Sequence, residues 1–217
     1  MTFLIVPFYK NSDVHRYATK TITDSYILYL DRSIKDISSF VPIKKHLEKF
    51  KGVLSKRREV ENGVINYFQL QWPRDQSIFK DPKIVAPQRS SRNTFGYNEC
   101  AWYASADVYF ITRQNQQISL KYILGLLNSR LYYFWLYHRG KRKGETLELY
   151  QKPLSELPIK NAPKTIQDII EQLVDRRIQR VSKGENSELL ERQINQEIYT
   201  LYNLTSEEIK VVESCRP

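Results

Sequence analysis

A short basic run in the second half of the chain has the side chains needed to bind phosphate groups. Five cationic or titratable residues fall within positions 138–143: His138, Arg139, Lys141, Arg142 and Lys143. Arg and Lys donate charge-assisted hydrogen bonds to phosphate oxygens, and the flanking Gly140 and Gly144 let a backbone approach a phosphate closely. The run predicts contact with a nucleic acid. The alternative is a solvated loop that ends a helix.

A second polar segment follows an apolar stretch at positions 83–87. Its side chains are of the types that pair with base edges and phosphates: Gln88, Arg89, Ser90, Arg92 and Asn93. Arg reads guanine with two hydrogen bonds, and Gln or Asn reads adenine. The segment therefore predicts base contacts, with an ordinary hydrophilic turn as the alternative.

A third cluster, Lys56-Arg57-Arg58, ends a predicted helix. Cations at a helix C-terminus interact favourably with the helix dipole, which explains the cluster almost as well as contact with a nucleic acid does. We include the three residues among the predicted contacts.

The overall charge agrees with a polyanionic partner. The 217 residues have a formal net charge of +10 at pH 7. Positions 1–110 (17 basic, 11 acidic) and 111–160 (nine basic, three acidic) are both positive, whereas positions 161–217 (eight basic, ten acidic) are slightly negative. A basic body favours nucleic acid or an anionic membrane, and the sequence has no lipidation motif or strongly amphipathic basic helix. Nucleic acid is the favoured partner.

Cysteine content and hydropathy indicate the compartment. Two cysteines are too few for a disulfide framework, and every long apolar run is broken by polar residues. The first eight residues lack a basic leader and a small-residue cleavage site. We therefore expect a cytoplasmic protein with no contact to a membrane.

The usual signatures of catalysis are missing from the sequence. The seven glycines never form a G-x-G phosphate loop, and no H-E-x-x-H or paired C-x-x-C suggests a metal. Glu208-Ile209-Lys210 has the E-x-K spacing of some metal-dependent nucleases, but it lies in a predicted capped terminal helix without a preceding Pro-Asp strand. We predict no catalytic residue, metal or cofactor in this chain.

These residues must be positioned by a mixed α+β fold. A helix is predicted from Ile43 to Lys56, several short, mostly antiparallel strands from Trp72 to Phe110, and a strand at positions 108–112. Apolar residues at three- and four-residue steps predict one long buried helix from Leu120 to Tyr137. Asn128-Ser129 within it is expected to be a buried hydrogen-bonded pair.

The end of the chain is predicted to be helical. Pro163 can begin a helix that Gly184 ends, Ser187 can cap the next helix, and Thr205 with Glu208 forms a capping box for the last helix. We predict a DNA-contacting body at positions 1–160 and a helical C-terminal segment at 161–217 that packs on it.

Seven short motifs follow one another along the chain: Pro7-Phe8-Tyr9-Lys10-Asn11-Ser12-Asp13-Val14-His15-Arg16-Tyr17, Trp72-Pro73-Arg74, positions 83–87, Asp107–Thr112, Leu124–Ser129, Leu157-Pro158-Ile159 and the stretch from Ile194 to Ile209. In this order they resemble one known family, the TaqI-like C-terminal specificity domain of adenine-specific DNA methyltransferases and type IIG restriction-modification enzymes. Arg74, within one of these motifs, joins the predicted DNA contacts.

The resemblance implies a module that docks on double-stranded DNA and selects the sequence to be modified. The S-adenosylmethionine site and the catalytic Asn-Pro-Pro-Tyr motif of such enzymes belong to an upstream methyltransferase domain, in cis or as a separate subunit, and this chain contains neither. Two alternatives remain: a protein-interaction module, and a nuclease whose acidic residues meet only in the fold.

Overall fold

The computed structural model describes residues 4–113 and 118–215. These residues form ten α-helices and nine short strands, so the predicted α+β class with a helical C-terminus is confirmed. The chain divides into two compact units, Met1–Phe8 with Asp24–Gln76, and Tyr9–Thr23 with Ser77–Pro217. Among the described residues, no helix is both long and apolar enough to span a membrane.

The first unit contains a strand pair and three short helices. Strand β1 (Ile5–Tyr9) begins in it and pairs antiparallel with β2 (Tyr26–Leu28). Helices α1 (Val41–Glu48), α2 (Lys51–Leu54) and α3 (Arg58–Glu61) follow. Its small core consists of Leu4, Leu30 and Ile37, with Leu28, Ile34, Ile43, Leu47 and Phe68 packed against them.

The single helix predicted from Ile43 to Lys56 is wrong, because the chain breaks it into α1 and α2. Pro42 occupies the first turn of α1, where the missing N–H of proline is tolerated. The backbone leaves helical geometry at Phe50, with φ −108° and ψ 0°, and Gly52 in the next turn has low helix propensity.

The second unit contains a three-stranded sheet centred on a buried strand. Strand β3 (Lys83–Pro87) pairs antiparallel with β5 (Gly96–Asn98) on one side and β7 (Val108–Thr112) on the other. Ile84, Val85 and Ala86 are completely buried. The remaining elements nearby are the helix α4 (Ser77–Lys80) and the short strand β6 (Tyr103–Ala104).

A second small sheet in this unit joins β4 (Arg89–Ser90), β9 (Thr146–Glu148) and β8 (Lys141–Lys143), and we call it the basic sheet. Strand β9 lies in the middle and pairs antiparallel with both neighbours. Gly144 has a φ of +60° in the tight connection between β8 and β9, a conformation that glycine adopts without strain. Within the basic run, Lys141–Lys143 therefore form a hairpin strand rather than a loop, and His138 and Arg139 end α6.

The long buried helix predicted from Leu120 to Tyr137 is two helices, α5 (Leu120–Asn128) and α6 (Arg130–Arg139). Ser129 has an extended backbone, φ −72° and ψ 163°, and its hydroxyl accepts a hydrogen bond from the Tyr132 amide. The helix ends because Ser129 caps the next one. Asn128 and Ser129 are both buried and hydrogen-bonded, as predicted.

Four helices complete the second unit: α7 (Gln151–Ser155), α8 (Lys164–Ser182), α9 (Glu188–Leu201) and α10 (Ser206–Ser214). Pro163 precedes α8, and the capping box of Thr205 and Glu208 begins α10, as predicted. Helices α8 and α9 share one core with α5 and α6, through residues such as Ile170, Val174 and Ile194. The C-terminal helices α8 and α9 therefore pack on α5 and α6.

Candidate nucleic-acid interface

The basic sheet brings together two cationic segments that are distant in sequence. The register aligns Arg89 with Glu148 and Glu148 with Lys141. A guanidinium nitrogen of Arg89 lies 3.1 Å from Oε1 of Glu148, and Nζ of Lys141 lies 3.1 Å from Oε2 of the same carboxylate. Two segments predicted separately to contact DNA thus meet around one acidic side chain.

Aromatic rings next to the basic sheet hold its cations further. Arg89 donates a 3.1 Å hydrogen bond to the hydroxyl of Tyr150, and Nζ of Lys141 lies 5.0 Å from the centroid of the same ring. The guanidinium carbon of Arg142 lies 3.9 Å from the centroid of the Tyr137 ring. Contacts of this kind restrict a long cationic side chain and reduce the entropy that binding would remove.

The electrostatics of the sheet favour the charged forms of its residues. Although burial opposes ionisation, hydrogen bonds from Lys141 and Arg89 lower the pKa of Glu148. The hydrogen bond to Tyr150 and the pairing with Glu148 raise the pKa of Arg89. Arg89 and Lys141 remain 48% and 63% exposed, so their cationic groups can also reach a ligand.

The other residues of the basic run are exposed. His138 and Arg139 lie at the C-terminal end of α6, where a cation interacts favourably with the helix dipole. The ring of His138 packs against Phe134, with 4.4 Å between ring centroids. Lys143 is exposed at the end of β8. These side chains extend the positive surface of the basic sheet.

The segment after β3 divides into exposed and buried residues. Gln88 is half-buried and links two elements through its backbone, since its amide donates to Asp107 and its carbonyl accepts from Leu149. The hydroxyl of Ser90 lies 2.9 Å from that of Thr94. Arg92 is 38% exposed and pairs with Glu191 at 3.4 Å.

Asn93 does not fit the predicted role of a base reader. It is 2% exposed, and its side-chain amide donates to the carbonyl oxygens of Leu127 and Ser129 at 2.7 and 2.8 Å. Its Oδ1 accepts from Arg16. Asn93 therefore has a structural role in the core, because it donates hydrogen bonds to the buried carbonyl groups at the break between α5 and α6.

A buried charge cluster next to this segment was missed in the sequence. The Glu191 carboxylate pairs with three arginines: Arg16 at 2.5 Å, Arg177 at 2.6 Å and Arg92 at 3.4 Å. Although burial opposes ionisation, these cations lower the pKa of Glu191. No sequence spacing signals the cluster, because its members come from four separate parts of the chain.

In the first unit, the cluster at 56–58 is only partly available to a ligand. Arg57 donates to the carbonyl oxygens of Leu54, Gln69 and Tyr67, which makes it a structural residue. Lys56 and Arg58 are exposed.

The predicted contact Arg74 is half-buried in the first unit. Its carbonyl oxygen accepts a 2.6 Å hydrogen bond from the hydroxyl of Tyr29. Among the described residues, no group of three or more His, Cys, Asp or Glu side chains could hold a metal ion.

Known methyltransferases resemble this chain in sequence. It is 28% identical over 165 residues to the type II methyltransferase M.HincII of Haemophilus influenzae, a match that covers 69% of this chain and 33% of that relative. It is 28% identical over 210 residues to the type II methyltransferase M.MjaIV of Methanocaldococcus jannaschii, covering 92% of this chain and 69% of the relative. The chain thus spans about a third of the length of M.HincII.

Two solved structures share the fold. The type IIL restriction-modification enzyme MmeI, solved in complex with DNA, matches 98% of this chain and 31% of its own, with a TM-score of 0.67 and 15% identity. The type IIG restriction endonuclease BpuSI matches 90% of this chain and 26% of its own, with a TM-score of 0.51 and 11% identity. At such identities the likeness concerns the fold alone.

A family model supplies the assignment. The model of the TaqI-like C-terminal specificity domain matches residues 6–159, which include the whole basic sheet and the segment after β3. The resemblance noted in the sequence is confirmed, and the chain belongs to the family of TaqI-like C-terminal specificity domains.

Proposed function

We propose that this chain is the DNA target-recognition domain of a type II restriction-modification enzyme and is non-catalytic by itself. The observation that carries the proposal is the basic sheet, in which Arg89 and Lys141 flank one carboxylate while much of each side chain stays exposed. The resemblance to type II methyltransferases and the fold shared with MmeI, solved with DNA, support it.

The residues of the basic sheet divide by chemistry. Arg139, Lys141, Arg142 and Lys143 are exposed cations that would bind phosphates, with His138 beside them. Gln88, Arg89 and Ser90 would read base edges, because Arg pairs with guanine and Gln with adenine in the major groove. The pairing of Arg89 with Glu148 and Tyr150 fixes its guanidinium before DNA arrives. Such preorganisation favours specific contacts.

In the first unit, Lys56, Arg58 and Arg74 would add phosphate contacts. The donors of Arg57 are engaged by three backbone carbonyl groups, so we assign it no DNA contact.

The parent enzyme would supply the chemistry. We propose an adenine-specific methyltransferase domain, in cis or as a separate subunit in the cytoplasm, that binds S-adenosylmethionine and carries the Asn-Pro-Pro-Tyr motif. This chain has no Asn-Pro-Pro-Tyr sequence, and we assign none of its residues to methyl transfer.

The proposal is tested by selecting duplexes from a random-sequence pool with the full chain at two salt concentrations. Enrichment of one short motif is expected. If about four to six phosphates are neutralised, affinity should fall by roughly two to three orders of magnitude between 50 and 200 mM salt. Affinity that does not change with salt would contradict the proposal.

A variant in which Lys141, Arg142 and Lys143 are replaced by acidic residues distinguishes DNA recognition from the protein-interaction alternative. DNA binding should collapse in this variant, whereas a protein-interaction module would keep its partner. Incubation of the chain with plasmid and magnesium tests the nuclease alternative, and the proposal predicts intact plasmid.

A further inference from the structure

A shallow, open cleft in the second unit lies between the N-terminal turn and the segment that follows β3. Its volume is about 400 Å³. Asn11, Ser12 and His15 line one wall, and Arg89, Ser91 and Arg92 line the other. Arg16 also reaches the cleft, so three guanidinium groups line it, and none of the described carboxylates does. This cleft is suited to an anion.

The charge behind the cleft is not balanced. Three arginines share the single carboxylate of Glu191, which leaves a surplus of two positive charges. Arg16 and Arg177 are 11% and 10% exposed, whereas Arg92 is 38% exposed and lines the cleft. Burial and the neighbouring charge of Arg16 lower the pKa of Arg92. An anion in the cleft would relieve this repulsion.

The opposite wall is a fixed turn with free polar groups. The 3-10 turn Asn11–Asp13 is closed by a 2.8 Å hydrogen bond from the Lys10 amide to the Asp13 carboxylate. Among the described residues, the side chains of Asn11 and Ser12 on this wall and of Ser91 on the other wall have no hydrogen-bond partner. They can donate to an oxygen ligand without first losing another contact.

We propose that this cleft binds a phosphodiester group of the DNA backbone, held by Arg92 and by the hydroxyls of Ser12 and Ser91. The inference rests on the proposed function and extends it to the N-terminal turn, which the basic clusters of the sequence did not indicate. Hydroxyl and amide donors beside guanidinium groups are the usual partners of phosphate oxygens.

The test places a carboxylate in the cleft without removing a contact within the protein. Ser12→Asp and Ser91→Glu each add a negative charge at an exposed position of the cleft, and Ser206→Asp adds the same charge at the exposed start of α10. The affinity of the full chain for duplex DNA is measured at several salt concentrations. Both cleft variants should bind about tenfold more weakly at low salt, with the slope of log affinity against log salt reduced by about one. Ser206→Asp should bind as the unchanged chain does.

A second measurement separates the sources of the phosphate. Thermal unfolding is followed with inorganic phosphate alone, at constant ionic strength. If the cleft selects free phosphate, phosphate stabilises the unchanged chain but not Ser91→Glu, and the cleft variants keep full DNA affinity; that result overturns the proposal. Equal DNA binding by the cleft variants and Ser206→Asp, with no phosphate effect, also overturns it.

A third outcome is that inorganic phosphate stabilises the unchanged chain but not Ser91→Glu, while the unchanged chain does not bind DNA. This result would contradict the proposed function. The site would then remain an anion site, and its assignment to the DNA backbone would be wrong.

Discussion

Arg89 and Lys141 bind opposite oxygens of one carboxylate, that of Glu148, at 3.1 Å each. The two cations belong to different outer strands of the basic sheet, and the carboxylate belongs to the strand between them. The acid keeps two like charges close together and fixes the direction of both side chains. In a DNA-binding domain, such an acid would lower overall affinity and improve selectivity.

Replacement of Glu148 by Gln should separate these two effects. Without the negative charge, affinity for random-sequence duplex should rise several-fold, because the phosphates meet a more positive sheet. With Arg89 less restrained, the ratio of target to random affinity should fall by about tenfold, the scale of one good base contact. Competition binding with the selected target measures both.

The matched control for this experiment is Glu156→Gln, which removes the same charge at an exposed position outside the basic sheet. It should leave the ratio of target to random affinity unchanged. If Glu148→Gln behaves like Glu156→Gln, the positioning role of the carboxylate is wrong.

Local patterns predicted the elements of this fold better than their junctions. The strand at 108–112 and the capping box at Thr205 are local in sequence, and both are confirmed. The apolar period continues in phase through Asn128-Ser129, so periodicity could not detect the break that Ser129 makes by capping α6.

The candidate site shows the same limit. Its two basic segments are contiguous and were visible in the sequence, but their meeting depends on the register of β4, β9 and β8. The cluster of Arg16, Arg92 and Arg177 around Glu191 joins distant positions, which no spacing rule can connect.

Asn93 and Gln88 should respond to alanine in opposite ways. Asn93→Ala leaves the carbonyl groups of Leu127 and Ser129 without their donor, so the free energy of unfolding should fall by about 2 kcal/mol. Gln88 makes its structural contacts through its backbone, and Gln88→Ala removes only a half-buried side chain. The free energy of unfolding should therefore change little, while target selectivity falls. Urea unfolding and target selection test the pair. Equal loss of stability would contradict the division between them.

Lys83 should make stability depend on pH in the alkaline range. Its side chain is completely buried and donates to the carbonyl oxygens of Asp81 and Cys100 at 2.9 and 2.7 Å. Burial lowers its pKa to about 8, against 10.5 for the free side chain. Between these values the unfolded chain holds a proton that the folded chain has released, so this residue's contribution to stability rises with pH.

The measurement for Lys83 is the urea midpoint of the unchanged chain and of Lys83→Met at pH 8, 9 and 10. Other titrating groups are common to both, so they cancel in the difference. The urea midpoint of the unchanged chain relative to that of Lys83→Met should increase from pH 8 to pH 10. If the difference in urea midpoint stays constant from pH 8 to pH 10, the Lys83 ammonium is not the source of the pH dependence.

Gly125 is required by the contact of α5 with α8. A Cβ atom at this position would lie 2.8 Å from Cγ2 of Ile170 and 3.1 Å from Cγ2 of Val174. Overpacking in a core costs about 1–3 kcal/mol, and the better helix propensity of Ala offsets up to about 1 kcal/mol. Gly125→Ala should therefore lower the free energy of unfolding by about 1–2 kcal/mol.

The double variant Gly125→Ala with Ile170→Ala tests whether this clash is the cause. Ile170→Ala removes the Cγ2 atom and opens space beside Gly125, at the expense of a cavity. In that background the added methyl group should be neutral or stabilising, because its nearest contact is gone. A double-mutant cycle from urea unfolding gives the coupling between the two positions. Additive losses would mean that Gly125 acts through the backbone of α5 rather than through the contact with α8.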